Sequence, residues 1–358
     1  MKKIVLLDTS YPINNRNEKI MRSLSLYEKN IITWNRDNRK IQKNNNCKEY
    51  FYNATVNYGD IYKKLLMIFS YAFFINKCLI RIKPDYIIAS HWPMLVIAAL
   101  IKSKNSDLIY DNRDVPTSKI IIIRKIIMLI ERAALRKVNC IMLASRFYKK
   151  KYIYFKKNIY IIENKPYKTI LENVPKKYFQ LSNQLKISFI GTVRYYNCMI
   201  NLIEAANGLP IDVLFFGEGP ELKSLKDYTK NHKNIYFYDK YNYNDIKCIY
   251  DLTDIVWAVY PNKDYNVKYA ISNKFFESIV FEKPSFYANN TELGKFVNKC
   301  DIGFTVNPYN IDEIRNYFNN IINNKNILKI KTENIKKYKS QSSLFWDDYN
   351  EIFFKIIN

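Results

Sequence analysis

The chain is predicted to be an α/β protein built from two parallel-sheet domains. Three observations predict it. Short apolar runs rich in branched residues alternate with stretches of helical length along the whole sequence. Most of these runs are apolar at nearly every position rather than at every second one, the pattern of strands covered on both faces. The length, 358 residues, exceeds what one hydrophobic core ordinarily organises, so the alternation is expected to be shared between two cores.

The elements follow in order. KKIVLLD (2–8) reads as a first strand leading into a polar loop, Asp8 to Asn17, and a helix is expected from Glu18 to Lys29. NIITWNR (30–36), DYIIAS (85–90) and DLIYDNRD (107–114) supply further strands. Two helices between and after them interleave basic with bulky apolar residues. Tyr62 to Ile82 sets Lys63, Lys64, Lys77 and Arg81 among Leu65, Leu66, Ile68, Phe69, Phe73 and Phe74. Lys119 to Lys137 sets Lys119, Arg124, Lys125, Arg132, Arg136 and Lys137 among isoleucines. Such helices suit the headgroup layer of an anionic membrane, and the same pattern serves core helices whose basic residues face water.

The polar stretch Pro175 to Gln184 reads as an interdomain linker. A second strand series follows it: LKISFIGTVR, PIDVLFFGEGPE, NIYFYDKY, DIVWAVYP and KPSFYAN. The aromatic segment Leu344 to Ile357 is expected to form a last helix that packs back across the domain junction. The domains are thus expected over 1–178 and 184–338, with 339–358 as the returning segment.

Composition excludes several classes. Hydrophobic residues at 48% and charged residues at 25% describe an ordered globular chain rather than a disordered one. The six cysteines are scattered, with no CxxC pair and no neighbouring histidine, which excludes a disulfide framework or a zinc site as the expectation. Only four apolar residues stand between Lys3 and Asp8, too few for a secretory signal, and the longest apolar candidate for a span, Leu65 to Ile75, falls short of the roughly 20 residues a membrane helix needs. The expected location is therefore the reducing cytoplasm.

The net charge of +24 is unevenly distributed. Residues 1–183 carry 35 Lys/Arg against 13 Asp/Glu, whereas residues 184–358 carry 22 against 20. A lysine-rich background alone would load both halves equally. The first half is therefore expected to face an anionic partner: nucleic acid, anionic lipid headgroups or a phosphorylated acceptor.

Six of the seven glycines lie after residue 190. Gly191, Gly217, Gly219 and Gly303 are expected at the carboxyl ends of strands, which line the ligand crevice in open parallel sheets. Glycine there lets a phosphate approach the backbone, and a following helix offers free N–H groups. Thr192 and Arg194 stand just after Gly191, where a guanidinium can clamp a pyrophosphate. In SNKFFESIVFEKP, Asn273, Lys274 and Glu277 open a helix: Ser or Asn caps it, Lys274 offers a point charge to phosphate, and Glu277 lies one turn along the same side. The two histidines are His91, at the carboxyl end of DYIIAS, and His232, expected on a surface turn.

Taken together, GTVRYYNCMINLIEAA, FFGEGPELKSL, DIKCIYDLTDIVWAVYP, SNKFFESIVFEKPSF, TELGKFV and DIGFTV resemble, in order and spacing, the C-terminal half of glycosyltransferase family 4. IYDNRD, ERAALRKVNCIMLASRFYKK and IYIIENKP resemble more faintly its N-terminal half, as an acceptor-side strand end, a buried helix and the loop before the linker. The resemblance implies a GT-B fold, two Rossmann-like parallel-sheet domains facing a central cleft. It implies a metal-independent, retaining transferase without a cofactor that takes sugar from a nucleotide diphosphate. Carried over by position, Gly191, Thr192 and Arg194 would contact the donor diphosphate, Lys274 its phosphates and Glu277 the ribose, with Gly217 and Glu218 bordering the nucleotide pocket. On the acceptor side Asp114, Arg113 and His91 are the catalytic candidates. A lipid-linked saccharide of surface polysaccharide assembly, met at the inner face of the membrane, is the expected acceptor setting.

The sequence departs from the family at Tyr269, where a second glutamate is usual, at Asn197, where lysine is common, and at Arg113, where many members have histidine. Two other readings follow from the same residues. A nucleic-acid binder would use the basic first half, but helix-turn-helix, zinc-finger and RNA-recognition signatures are missing, so no nucleic-acid partner is expected. An inactive scaffold of the same fold would explain Tyr269 and Asn197.

Overall fold

A computed structural model describes residues 1–41, 46–55, 61–116, 118, 120–172 and 183–357, with the backbone alone for 61–65. The expected linker from Pro175 lies almost wholly outside the described residues, as do Lys119 and the side chains of Lys63, Lys64 and Leu65. The chain divides into two compact units, Met1–Asn164 with Tyr349–Asn358, and Lys165–Asp348.

The first unit is a seven-stranded sheet of β1 (Lys3–Leu7), β2 (Glu28–Asn35), β3 (Lys48–Asn53), β4 (Tyr86–Ser90), β5 (Asp107–Asn112), β6 (Cys140–Leu143) and β7 (Asn158–Ile161). Its order is β3-β2-β1-β4-β5-β6-β7, and every pairing is parallel. The strands of the centre, IVLL and YIIAS, are buried at every position, which is why they read as continuous apolar runs. The helices are α1 (Asn15–Ser23), α2 (Ile61–Ile82), α3 (His91–Ile101) and α4 (Ile121–Leu135). The connections from β3 through β6 all run one way along the sheet, so right-handed crossovers place α2, α3 and α4 on one face and α1 on the other. Strand order reverses between β1 and β4, and the loops that leave those two strands part to open a crevice.

Several local expectations are corrected. The first helix starts before Glu18 and ends before Lys29, because Asn14 caps it, accepting from the Asn17 amide at 3.0 Å, and because Glu28 already pairs with Lys3 in the sheet. The segment 131–150, expected as a buried helix, is the end of α4, strand β6 and a 3-10 turn at Arg146–Tyr152. Within α4 only Glu131 and Leu135 are buried, while Ile122 and Leu129 are 70% and 66% exposed. On α2, Tyr71 and Ile75 bury against the sheet, and Leu66, Phe69, Phe73 and Ile80 face outward. Among the described residues no helix is long and apolar enough to cross a membrane.

The second unit is a six-stranded parallel sheet of β8 (Leu185–Ile190), β9 (Ile211–Phe216), β10 (Ile235–Tyr238), β11 (Ile255–Ala258), β12 (Ser285–Ala288) and β13 (Phe304–Val306), ordered β10-β9-β8-β11-β12-β13. Its helices are α5 (Tyr196–Ala206), α6 (Leu222–Tyr228), α7 (Ile246–Leu252), α8 (Asn273–Val280), α9 (Glu292–Cys300), α10 (Ile311–Asn323) and α11 (Asn326–Ser340). An aromatic core of Phe189, Phe215, Trp257, Phe286 and Phe318 holds them. Here the order reverses between β8 and β11. Gly303 precedes β13 instead of following a strand, and its place is set by packing: a Cβ there would lie 2.6 Å from the Ser285 carbonyl oxygen. The expected last helix is broken into a 3-10 turn at Trp346–Tyr349 and α12 (Asn350–Ile357), which belongs to the first unit.

Candidate functional site

The second unit's crevice is floored by backbone. Beyond the ends of β8 and β9 the ladder continues, with Gly191 N–H donating to the Phe216 carbonyl at 2.8 Å and Val193 N–H to the Glu218 carbonyl at 2.9 Å. Gly191 and Gly217 have φ of +139° and +134°, a region closed to most side chains. A Cβ on Gly217 would stand 2.0 Å from the Gly191 carbonyl oxygen, and one on Gly219 would stand 2.1 Å from that of Val193. These strand ends approach one another only because the side chains are absent.

Lys274 lies over this floor, its Nζ 3.1 Å from where a Cβ of Gly191 would be. Ser272 caps α8, accepting from the Lys274 amide at 3.3 Å, and so sets the lysine on the first turn. Its ammonium is largely buried, and its only ion pair among the described residues is Glu277, at 3.9 Å. Burial pulls the Lys274 pKa down, but Glu277, Tyr260 and Tyr241 outweigh it and hold the group above its ordinary value. The ammonium is therefore fully charged at neutral pH. Glu277 is itself buried and receives the Tyr243 hydroxyl at 3.2 Å and the Tyr250 hydroxyl at 3.0 Å. Burial and then the Glu277 charge raise the pKa of both tyrosines, keeping them as donors.

A cavity of about 320 Å³ opens beside the lysine, and Thr192, Arg194, Asn273 and Lys274 all line it. Four of the predicted residues are thus brought together. Gly191 supplies the floor below Lys274. Gly217 packs against that floor, and Glu218 is mostly exposed, 3.9 Å from Lys240. A second cavity of about 140 Å³, walled by Phe216, Tyr238, Tyr241 and Lys240, lies at the end of β9 and β10. Glu277 stands behind the lysine and is absent from the first cavity's walls. Tyr269 and Asn197 also lie off that cavity, whose wall in the Tyr269 loop is Val267 and Ala270. A bare backbone floor, a buried ammonium and a guanidinium at the rim together suit two linked phosphates.

The first unit's crevice is built from side chains. Asp8, completely buried at the end of β1, accepts from the Thr9 amide at 2.6 Å, the Ser10 hydroxyl at 3.2 Å and Asn17 Nδ2 at 2.5 Å. Arg113 Nη2 reaches the same carboxylate at 3.4 Å. His91 opens α3 with φ +66°, and its Nδ1 is 3.8 Å from Asp114. Burial, followed by the Arg113 charge, lowers the His91 pKa, so the imidazole is neutral at pH 7. Arg113, Asp114 and His91 are thereby gathered at the ends of β4 and β5, around a carboxylate that the sequence marks only as the end of an apolar run. Arg36, whose guanidinium stacks on Trp34 at 4.4 Å, is near enough to feel the Asp8 charge and is likewise unmarked in sequence. His232 does sit on a turn, but half-buried, 3.6 Å from Glu204 and stacked on Tyr228.

No protein-family profile matches the chain, and no curated protein matches it in sequence. Solved structures do match in shape. Sucrose-phosphate synthase from Thermosynechococcus elongatus superposes with a TM-score of 0.75 at 11% identity, covering 99% of this chain and 98% of that one. Anabaena Alr3699/HepE, solved with UDP and glucose, gives 0.73 at 13% identity over 100% and 99%. WaaG, a glycosyltransferase involved in lipopolysaccharide biosynthesis, gives 0.68 at 13% identity over 98% and 99%. The fold is GT-B. In GT-B terms, each of the two Rossmann-like sheets here carries its candidate residues at its own reversal of strand order, Lys274 and its neighbours beside β8 and β11, Asp8 and its neighbours beside β1 and β4.

Proposed function

We propose that the chain is a glycosyltransferase of the family 4 kind, a retaining hexosyltransferase that moves sugar from a nucleotide diphosphate to a lipid-linked saccharide in surface polysaccharide assembly. The observation that carries this reading is the glycine-floored cavity with Lys274 buried above Gly191. Lys274 and Arg194 would hold the diphosphate, with Thr192 and Asn273 beside them. The aromatic cavity next to Gly217 and Glu218 would take the base, and Glu277 would accept from ribose hydroxyls with the lone pairs its tyrosines leave free.

In the transfer, the acceptor hydroxyl oxygen bonds to the anomeric carbon as the bond from that carbon to the phosphate oxygen breaks. The bonding pair leaves on the diphosphate, and the hydroxyl proton passes to it or to His91 or Asp114. The enzyme's main contribution is positioning and the cationic stabilisation of the leaving group. That need is met by Lys274 and Arg194 without a metal ion.

The acceptor membrane would be met through α2 and α4. Exposed Phe69, Phe73, Ile122 and Leu129 lie among Lys77, Arg81, Arg124 and Arg132 on helices of one sheet face, a combination that suits the inner, anionic leaflet. The function is tested by thermal-shift screening of nucleotide sugars, headed by the UDP-sugars that some of the structural neighbours hold. Binding of at least one donor, lost in Lys274→Ala, is expected. If no nucleotide diphosphate or nucleotide sugar shifts the melt, the scaffold reading takes its place.

A further inference from the structure

Arg113 reaches Asp8 and Arg36 lies near enough to feel its charge, and both keep a donor unused. Arg113 Nε is buried with no hydrogen-bond partner, and its Nη2 meets Asp8 only at 3.4 and 3.5 Å, on oxygens already taken by Thr9, Ser10 and Asn17. Arg36 Nε is also buried without a partner. Its placement follows from packing: the guanidinium lies on Trp34, Trp34 packs on Tyr71 at 5.6 Å, and the Tyr71 hydroxyl donates to the Asp8 carbonyl at 2.6 Å. Arg36 is near enough to feel the Asp8 charge; burial nevertheless lowers its pKa.

The other arginines of this sheet end are satisfied. Arg16 donates from Nε and Nη2 to Asp111, at 3.0 and 2.6 Å, and Arg39 pairs with Asp37 at 3.0 Å. A buried donor left unmade is costly, the more so when it is charged. A fold that keeps two of them around one saturated carboxylate is arranged for a further acceptor of hydrogen bonds, and guanidinium forks match phosphate oxygens. Seven residues beyond Arg113, the chain becomes the exposed apolar start of α4, Ile120 to Ile123.

We propose that the crevice between β1 and β4 is an oxyanion subsite, in which Arg36 and Arg113 receive a phosphate carried by the acceptor. The proposal rests on the transferase reading for the word acceptor, but the site itself does not. It separates two sources of the phosphate, a lipid carrier whose chain lies along α4 or a free phosphorylated sugar.

The test is calorimetric titration of the full-length chain in a Lys274→Ala background, which disables the second unit's cation. Inorganic phosphate, glucose 1-phosphate and geranyl phosphate serve as probes. Inorganic phosphate is expected to bind, and Arg36→Gln with Arg113→Gln to weaken it at least tenfold, while the melting temperature stays that of the parent. Arg36→Lys with Arg113→Lys, which keeps the charge and loses the fork, is expected to recover part of the affinity. Tighter geranyl phosphate binding assigns the lipid source, and equal or tighter glucose 1-phosphate binding the soluble one. Phosphate affinity unchanged within twofold in the double Gln variant, or absent from the parent, would overturn the subsite. Failure of every nucleotide sugar to bind the wild-type chain would instead overturn the transferase reading and leave the subsite standing.

Discussion

The second unit leaves its crevice open by omitting side chains, and the first fills the same topological position with them. After β8 and β9 stand Gly191, Gly217 and Gly219: Gly217 packs on the backbone of Gly191, Gly219 on that of Val193, and Lys274 covers Gly191. Asp8, Asn14 and Asn17 follow β1 and Ser90 closes β4, and the crevice is lined by their hydrogen bonds. The charge differs as well. The first unit carries 32 Lys/Arg against 13 Asp/Glu, the second 25 against 20. The same sheet reversal therefore makes two kinds of site: a backbone floor suited to a diphosphate of fixed shape, and a side-chain crevice that the proposed function gives to the acceptor.

The comparison breaks most visibly at the lysine. Lys274→Ala is expected to lower turnover by roughly two to three orders of magnitude with the melting temperature little changed, as loss of a leaving-group cation should. Nucleotide-sugar consumption measures it, and unchanged consumption would remove the second unit's claim to the chemistry. Next in size is Gly217→Ala, which forces a Cβ against the Gly191 carbonyl at a positive φ. It should cost roughly 2–4 kcal/mol in denaturant unfolding. A neutral result would mean that the floor is not held by close backbone contact.

On the first unit, Ile122→Asp with Leu129→Asp should reduce co-sedimentation with anionic vesicles about tenfold. Stability should stay within about 0.5 kcal/mol, since both side chains are exposed. A large drop in stability instead would show that α4 packs against protein.

The smallest effect concerns Glu131, which is buried on α4 and accepts from Tyr110 and Tyr152 at 2.8 Å each. Burial raises its pKa in the folded chain. The native state therefore holds its proton more tightly than the unfolded state, and stability falls as pH rises from the ordinary carboxylate range through the raised value. Glu131→Gln should flatten that slope in melts run from acid to neutral pH. An unaltered slope would place the titration elsewhere.

How far the site could be read depended on sequence distance. Gly191, Thr192 and Arg194 follow one strand, and Asn273, Lys274 and Glu277 open one helix, so local pattern identified each group. That Lys274 lies over Gly191 needed the fold. The partners of Glu277 were not legible: Tyr243 and Tyr250 come 34 and 27 residues earlier, among 31 tyrosines that differ in no local feature. Asp8, Arg36, Arg113 and His91 were still harder to group, since 105 residues separate Asp8 from Arg113. Boundaries failed where capping or edge pairing competed with the apolar pattern, as at Asn14 and in the half-exposed strand KEYFYN.

By itself the sequence determined the class of the fold, because strands buried on both faces must be apolar throughout and the helices between them must be long enough to cross over. It also determined the excess of basic charge in the first half, which is a matter of counting. The tertiary structure decided which polar residues share a crevice. That choice is made by strand order, β2-β1-β4-β5 and β9-β8-β11, and strand order is set by the packing of whole layers, which no short stretch of residues records.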